Sequence, residues 1–158
     1  MNFDDFKQEL KTFTDRQIAF IGLGNELRGD DGAGLLFLKY LRRAAEFQRS
    51  FFVCAGTNPE NYLQTILDSK AQLAVFIDAA RWGAKPGEIA WLSADQIDAV
   101  GISTHAYSIR LVEKYLKAQQ DMAFKYLVIE PLTMQLNTEC SPIVRKRIKI
   151  FFDPEQID

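Results

Sequence analysis

Short apolar runs alternate along the chain with segments that have helical spacing. Five runs are typical of strands, at 17–23, 50–54, 72–77, 87–92 and 124–129. Helices are predicted at 2–13, 31–47, 59–68, 94–98, 105–120 and 141–152. This alternation predicts an α/β fold, a three-layer αβα sandwich around a mainly parallel, twisted sheet of about five strands. The run at 87–92 alternates apolar and polar residues, which is typical of one antiparallel edge strand.

Length, composition and charge narrow the class of protein. The 158 residues, 47% hydrophobic and 25% charged, predict a single domain over 1–158. The net charge of -2 gives no global attraction to nucleic acid, and no apolar run is long enough to cross a bilayer. The amphipathic, acidic N-terminus is unlike a signal or transit peptide, and the two cysteines are far apart. These features predict a cytoplasmic protein that neither binds nucleic acid nor inserts into a membrane.

The segment IAFIGLGNELRGDDGAG, residues 18–34, has the form of a phosphate-binding turn, in which a strand leads through glycines into a helix. It lacks the glycine spacing of the dinucleotide fingerprint and the Lys-Ser/Thr pair of a Walker A loop. Asp30 and Asp31 would repel a phosphate, whereas carboxylates suit a helix N-terminus and can bind a cation. One interpretation is structural, with Asp30 as the N-cap and Asp31 as a first-turn carboxylate. The other places Asp31 in a functional site.

Asp78 is predicted at the same edge of the sheet as Asp31, and His105 is a candidate to join them from a separate loop. Asp78 directly follows the apolar run 72–77, and such sheets bind ligands at the carboxyl ends of their strands. His105, the only histidine, is predicted at or just before a helix start, which would lower its pKa and favour the neutral imidazole that a metal needs. Two carboxylates and an imidazole suit zinc, nickel or a similar divalent ion. The structural alternatives are a loop cap for Asp78 and a surface or capping role for His105.

Four motifs, in order, resemble those of the hydrogenase maturation endopeptidases. They are GLGNELRGDDGAG, CAGTNPENYL, VFIDAA and STH, and the resemblance covers roughly residues 17 to 130. The segment KPGEIAWLSADQI is also similar to the edge segment of the branch that serves hydrogen-evolving membrane hydrogenases. The resemblance implies a cytoplasmic endopeptidase that removes the C-terminal extension of a [NiFe]-hydrogenase large-subunit precursor after nickel insertion.

The same resemblance implies roles for individual residues. Asp31, Asp78 and His105 match the three metal-contacting residues of the family, so we expect them to engage the nickel of the substrate and to act in catalysis. Nickel is then supplied by the precursor, and zinc or cadmium can occupy the site in vitro. A water molecule, polarised by the metal or deprotonated by a carboxylate, would attack the scissile carbonyl. Which group acts as the base stays open at this point.

Five residues beside these three are candidates for contact with the substrate peptide. Gly24, Asn25 and Arg28 belong to the glycine-rich turn, and Gly56 and Thr57 follow the second strand. The glycines are expected to allow a tight turn and close approach of the substrate backbone. The structural alternatives are that Asn25 holds its own loop and that Arg28 is simply solvated.

Two other functions stay open. A non-catalytic protein that senses nickel or escorts the large subunit would keep the same three metal-contacting residues. A nucleotide-binding α/β enzyme is disfavoured by the incomplete phosphate motifs. The segment EPLTMQLNTECSP departs from the branch, whose members often have an aromatic-rich segment there, so it is a candidate for encoding the choice of substrate.

Overall fold

A computed structural model describes residues 1–99 and 102–156 of the chain. Its helices and strands are α1 Phe3–Glu9, β1 Ile18–Leu23, α2 Ala33–Leu41, β2 Phe51–Gly56, α3 Leu63–Asp68, β3 Leu73–Ala79, β4 Ile89–Leu92, α4 Ala94–Asp98, α5 Ala106–Gln119, β5 Ala123–Ile129 and α6 Pro142–Phe152. Each predicted helix and strand is present, so the α/β prediction is confirmed. None of the helices in this described part of the chain is long and apolar enough to cross a bilayer.

The five strands form one mixed sheet in the order β2-β1-β3-β5-β4. Strands β2, β1, β3 and β5 run parallel to one another, and β4 pairs antiparallel with β5 at the edge. The predicted antiparallel edge strand is therefore confirmed. Since β1, β3 and β5 are adjacent and parallel, their carboxyl ends meet at one edge of the sheet.

Helices cover both faces of the sheet, which gives the predicted three layers. Helices α1, α2 and α6 pack on one face, and α3, α4 and α5 pack on the other. Successive residues of β1 alternate between the two layers, with Phe20 in the first and Ile21 in the second. All six residues of this strand are buried. This two-sided burial explains why the central strands read as continuous apolar runs.

Two predicted helices end several residues earlier in the structure, and the one predicted over 59–68 is an α-helix only over Leu63–Asp68, after a 3-10 turn at Pro59–Tyr62. The first ends at Glu9 rather than at residue 13. The predicted helix over 31–47 is an α-helix only over Ala33–Leu41, and 45–47 is a separate 3-10 turn. The break lets the ring of Phe47 turn back into the core, where it lies 5.2 Å from that of Phe20. Burial of this ring outweighs the helical spacing that continues past Leu41.

A close helix-to-strand contact fixes the turn that precedes α2. A Cβ atom on Gly34 would lie 2.4 Å from the carbonyl oxygen of Ile77 and 2.7 Å from that of Leu23. Only glycine permits this approach. The start of α2 therefore rests on the ends of β1 and β3, and the 3-10 turn Gly29–Gly32 lies beside these strand ends.

Candidate active site

The three predicted site residues come together at the carboxyl ends of β1 and β3. Asp31 lies in the turn after β1, Asp78 is the penultimate residue of β3, and His105 immediately precedes α5. Each of the three is less than 10% exposed. Asp78 contacts His105 directly, and the charges of both act on Asp31. The rule that ligands bind at strand ends therefore placed Asp31 and Asp78 correctly, and the structure adds the contact of Asp78 with His105.

A hydrogen-bonded pair of Asp78 and His105 forms the centre of the site. The Nδ1 atom of His105 lies 3.0 Å from Oδ2 of Asp78 and 3.1 Å from its Oδ1. The Ser103 hydroxyl donates to Asp78 Oδ2 at 2.8 Å, and the Ala79 amide donates to Oδ1 at 2.9 Å. Since the Nδ1–H group donates a hydrogen bond to Asp78, Nε2 carries the lone pair when the ring is neutral. The hydrogen bond to Asp78 thus uses Nδ1 and leaves Nε2 to bind another group.

The predicted effect of the helix start on His105 is wrong. Burial does act to lower its pKa, but the hydrogen bond to Asp78 and the charges of Asp78 and Asp31 act in the opposite direction. The combined effect of these anionic partners exceeds that of burial, so the pKa of His105 is raised above its ordinary value of 6.5. Position at a helix terminus is a weaker influence here than two nearby carboxylates.

Asp31 is a buried carboxylate with few partners. Its Oδ2 accepts a hydrogen bond from the Asn25 amide at 2.9 Å. Burial and the charge of Asp78 raise its pKa, while His105, the Asn25 amide and Arg28 act to lower it. The net effect is a raised pKa, so Asp31 holds a proton more readily than an ordinary aspartate.

Asp30 has a different role from the predicted N-cap. Gly32 occupies the N-cap position of α2, which has no side-chain cap. The Asp30 carboxylate instead accepts hydrogen bonds from the backbone amides of Leu132, Thr133 and Ser141, at 2.8, 3.1 and 2.6 Å, and from the Ser141 hydroxyl at 2.9 Å. Burial acts to raise its pKa, but these donors lower it overall. Asp30 therefore fastens the β5–α6 loop to the glycine-rich turn.

The candidate peptide-binding residues divide into two groups. Gly24 and Asn25 build the turn itself: a Cβ on Gly24 would lie 1.9 Å from the Asp31 carbonyl oxygen, and Asn25 Oδ1 accepts from the Leu27 amide. The Gly24 amide donates to the Gly56 carbonyl at 2.9 Å, which ties the turn to the end of β2. Arg28 and Thr57 are exposed at this edge, and the charge of Arg28 reaches Asp31.

Sequence reasoning assigned no role to Ser103 or Glu130, both of which support the site. Ser103 bonds Asp78 and also accepts from the His105 amide at 3.1 Å. Glu130 is buried at the end of β5, and its Oε2 accepts from the Trp82 and Ala84 amides in the loop that follows Asp78. Proximity to the STH motif could have identified Ser103. For Glu130, the available signal was its position directly after a strand.

The three residues do not form a preformed metal cage. Among residues 1–99 and 102–156, no group of three or more His, Cys, Asp or Glu residues is arranged to hold a metal ion. Both oxygens of Asp78 already accept hydrogen bonds from His105 and from other donors. The contact between Asp78 and His105 therefore holds these side chains in place.

Comparison with known proteins assigns the chain to a family. The family model described as "HycI: Hydrogenase maturation protease" matches residues 37–153. The chain belongs to the hydrogenase maturation protease family. The match to the family model includes Asp78 and His105, while Asp31 lies just before it.

Individual relatives agree with this assignment. A crystal structure of the [NiFe] hydrogenase maturation protease HycI from Thermococcus kodakarensis superposes with a TM-score of 0.79 at 26% identity, covering 96% of each chain. A relative from Methanocaldococcus jannaschii, provisionally named a hydrogenase maturation protease, is 28% identical over 123 residues, 73% of each chain. The hydrogenase 3 maturation protease of Escherichia coli is 30% identical over 96 residues, which is 60% of this chain and 61% of that protein.

The Asp78–His105 pair predicts how the single histidine titrates. We expect the pKa of His105, followed by NMR of the imidazole C–H protons in untagged protein, to lie above 6.5 in the wild type. Asp78→Asn removes the hydrogen-bonding anion but leaves the ring buried, so the pKa should fall. Asp31→Asn should lower it less, because Asp31 acts through charge alone. Equal pKa values in the wild type and Asp78→Asn would contradict the geometry.

The Asp30 hydrogen bonds predict a pH-dependent contribution to stability. Because its pKa is lowered on folding, the carboxylate stabilises the protein fully above its ordinary pKa of 3.8, and this stabilisation is lost as the pH falls through the folded value. In urea unfolding at pH 7, Asp30→Asn should lower the free energy of unfolding by about 2 kcal/mol or more, since it leaves buried donors unsatisfied. The difference from the wild type should narrow below about pH 4. The exposed Asp121→Asn variant is the control, and a pH-independent difference for Asp30→Asn would contradict the account.

Proposed function

We propose that this protein is an endopeptidase that removes the C-terminal extension of a [NiFe]-hydrogenase large-subunit precursor after nickel insertion. The observation that carries the proposal is the convergence of Asp31, Asp78 and His105 at the strand ends. Membership of the hydrogenase maturation protease family supplies the reaction class. We place its action in the cytoplasm, on the precursor of a hydrogen-evolving membrane hydrogenase, as the edge segment at 85–97 suggests.

In this proposal the nickel ion belongs to the substrate. Two carboxylates and the Nε2 atom of His105 provide the oxygen and imidazole ligands that suit a divalent ion of this kind. A cation also offsets the repulsion between the buried charges of Asp31 and Asp78. Because these side chains are not arranged as a metal site beforehand, binding of the loaded precursor would assemble the site, and cleavage would follow nickel loading. Zinc or cadmium would be expected to bind the same groups in vitro.

Asp31 is the best candidate for the base. Its raised pKa brings the carboxylate closer to the range in which it can accept a proton from water efficiently. The water oxygen would attack the scissile carbonyl carbon while Asp31 takes its proton. The C–N bond then breaks, and Asp31 returns the proton to the departing amine nitrogen. Asp78 holds His105 in position throughout through the Nδ1 hydrogen bond.

The extension of the precursor would lie along the turn after β1. Gly24, Asn25 and Gly56 make the turn tight and hold its backbone close to the strand ends. Arg28 and Thr57 are exposed beside it and can donate hydrogen bonds to peptide carbonyls. We therefore assign these five residues to the binding of the substrate peptide.

The proposal predicts nickel-dependent cleavage by the wild-type protein. The nickel-loaded and nickel-free forms of a large-subunit precursor are incubated with the enzyme, and loss of the extension is followed by intact mass. We expect cleavage of the loaded form only. Asp31→Asn, Asp78→Asn and His105→Ala should each lower kcat by a factor of about 100 or more, since each removes a group at the reacting centre. Asp121→Asn should cleave as the wild type does.

Each of three results would contradict part of this proposal. Equal cleavage of the nickel-free precursor would exclude the nickel-dependent step. Wild-type rates in Asp31→Asn would remove Asp31 from the chemistry. Tight binding of the loaded precursor with no change in its mass would instead identify a nickel-sensing or escort protein.

A further inference from the structure

The most exposed apolar side chains lie in segments that adjoin the candidate site. Among the residues that the structure describes, four large hydrophobic residues are more than half exposed: Tyr107 at 81%, Leu27 at 66%, Leu136 at 61% and Leu132 at 53%. Leu27 lies in the turn that carries Asp31, and Tyr107 is two residues beyond His105. Leu132 and Leu136 belong to the loop between β5 and α6. We call these four residues the apolar rim.

Hydrogen bonds hold the leucines of the rim in a fixed arrangement. The Asn137 amide donates to the Leu27 carbonyl at 2.7 Å, and the Leu27 amide donates to Asn25 Oδ1 at 2.9 Å. The Leu132 amide donates to the buried carboxylate of Asp30 at 2.8 Å. The loop is therefore tied at several points to the turn that carries Asp31. An exposed apolar patch that is held in place in this way is typical of a surface that binds another protein.

The charges near the rim restrict what can cover it. Asp31 and Asp78 are both buried, and Asp31 lies in the same turn as Leu27 of the rim. A purely apolar partner would remove the remaining water from these carboxylates without offering an opposite charge, which is costly. A partner that brings a cation to these carboxylates and apolar surface to the rim satisfies both requirements. Under the proposed function, the nickel-loaded large-subunit precursor supplies the cation, and we assign the apolar surface to its folded body.

We propose that the apolar rim is the docking surface for the folded body of the precursor, in addition to the site that receives its extension. This inference rests on the proposed function for the identity of the partner. In this proposal the rim contributes to the affinity for the precursor, and Asp31, Asp78 and His105 carry out cleavage. Substitutions in the rim should therefore change KM, whereas substitutions of the three site residues should change kcat. Docking at the rim also gives the β5–α6 loop, which carries Leu132 and Leu136, a role in the choice of substrate.

The test compares a rim variant with a matched control at the other end of the sheet. The triple variant Leu27→Ser, Leu132→Ser and Leu136→Ser removes exposed apolar surface and should leave the stability nearly unchanged. Phe51→Ser is the control, because Phe51 is 41% exposed at the start of β2, away from the strand ends. We expect KM for the loaded precursor to rise at least about tenfold in the triple variant, with kcat within twofold of the wild type. Phe51→Ser should change neither constant.

A binding measurement separates failure of the docking proposal from failure of the proposed function. The affinity for the precursor is measured in the Asp31→Asn background, with and without the three serine substitutions. Loss of affinity on their addition supports docking even if the wild type cuts nothing. Unchanged affinity, or no binding of the precursor in the first place, overturns it even if cleavage proceeds. A wild-type dimer in light scattering that the triple variant converts to a monomer would assign the rim to a second copy of this chain, and would also overturn it.

Discussion

The hydrogen bond between Asp78 and His105 is the contact on which the rest of the site depends. Asp78 lies near the end of β3, the middle strand of the sheet. His105 immediately precedes α5, which packs on one face of that sheet. Both are buried, and a buried carboxylate or imidazolium without its partner is strongly destabilising. The pair therefore connects a central strand to the start of α5 and at the same time fixes the position of the His105 ring. Fold and chemistry share this one interaction.

Two adjacent aspartates divide structural and chemical roles between them. Asp30 is satisfied by three amides and a hydroxyl, so its pKa is lowered and its carboxylate acts as an anchor. Burial and then the charge of Asp78 raise the pKa of Asp31, and its one amide partner does not offset them. Neighbouring carboxyl groups with opposite shifts are typical of a site in which one group positions and the other reacts. The anchored loop also carries Leu132 and Leu136, which links the anchor to the proposed docking surface.

The features that could be predicted from sequence were those with a local or periodic signal. Apolar runs located the strands, and the rule that ligands bind at their carboxyl ends placed Asp31 and Asp78 at one edge of the sheet. That His105 would join them was a hypothesis, because His105 does not follow a strand. Interactions between distant parts of the chain had no such signal. Asp30 was predicted to cap a helix because it precedes one, but its actual partners lie 102 to 111 residues away. The pKa of His105 was predicted in the wrong direction because helix position was visible in the sequence and the contact with Asp78 was not.

The central claim is that Asp31, Asp78 and His105 contact the nickel ion of the substrate. Nickel K-edge X-ray absorption of the loaded precursor, alone and in a complex frozen before cleavage, measures this directly. The account predicts that complex formation adds oxygen or nitrogen neighbours to the nickel, with the outer-shell scattering of an imidazole that disappears in the complex with His105→Ala. A nickel spectrum that stays the same when the complex forms would contradict it.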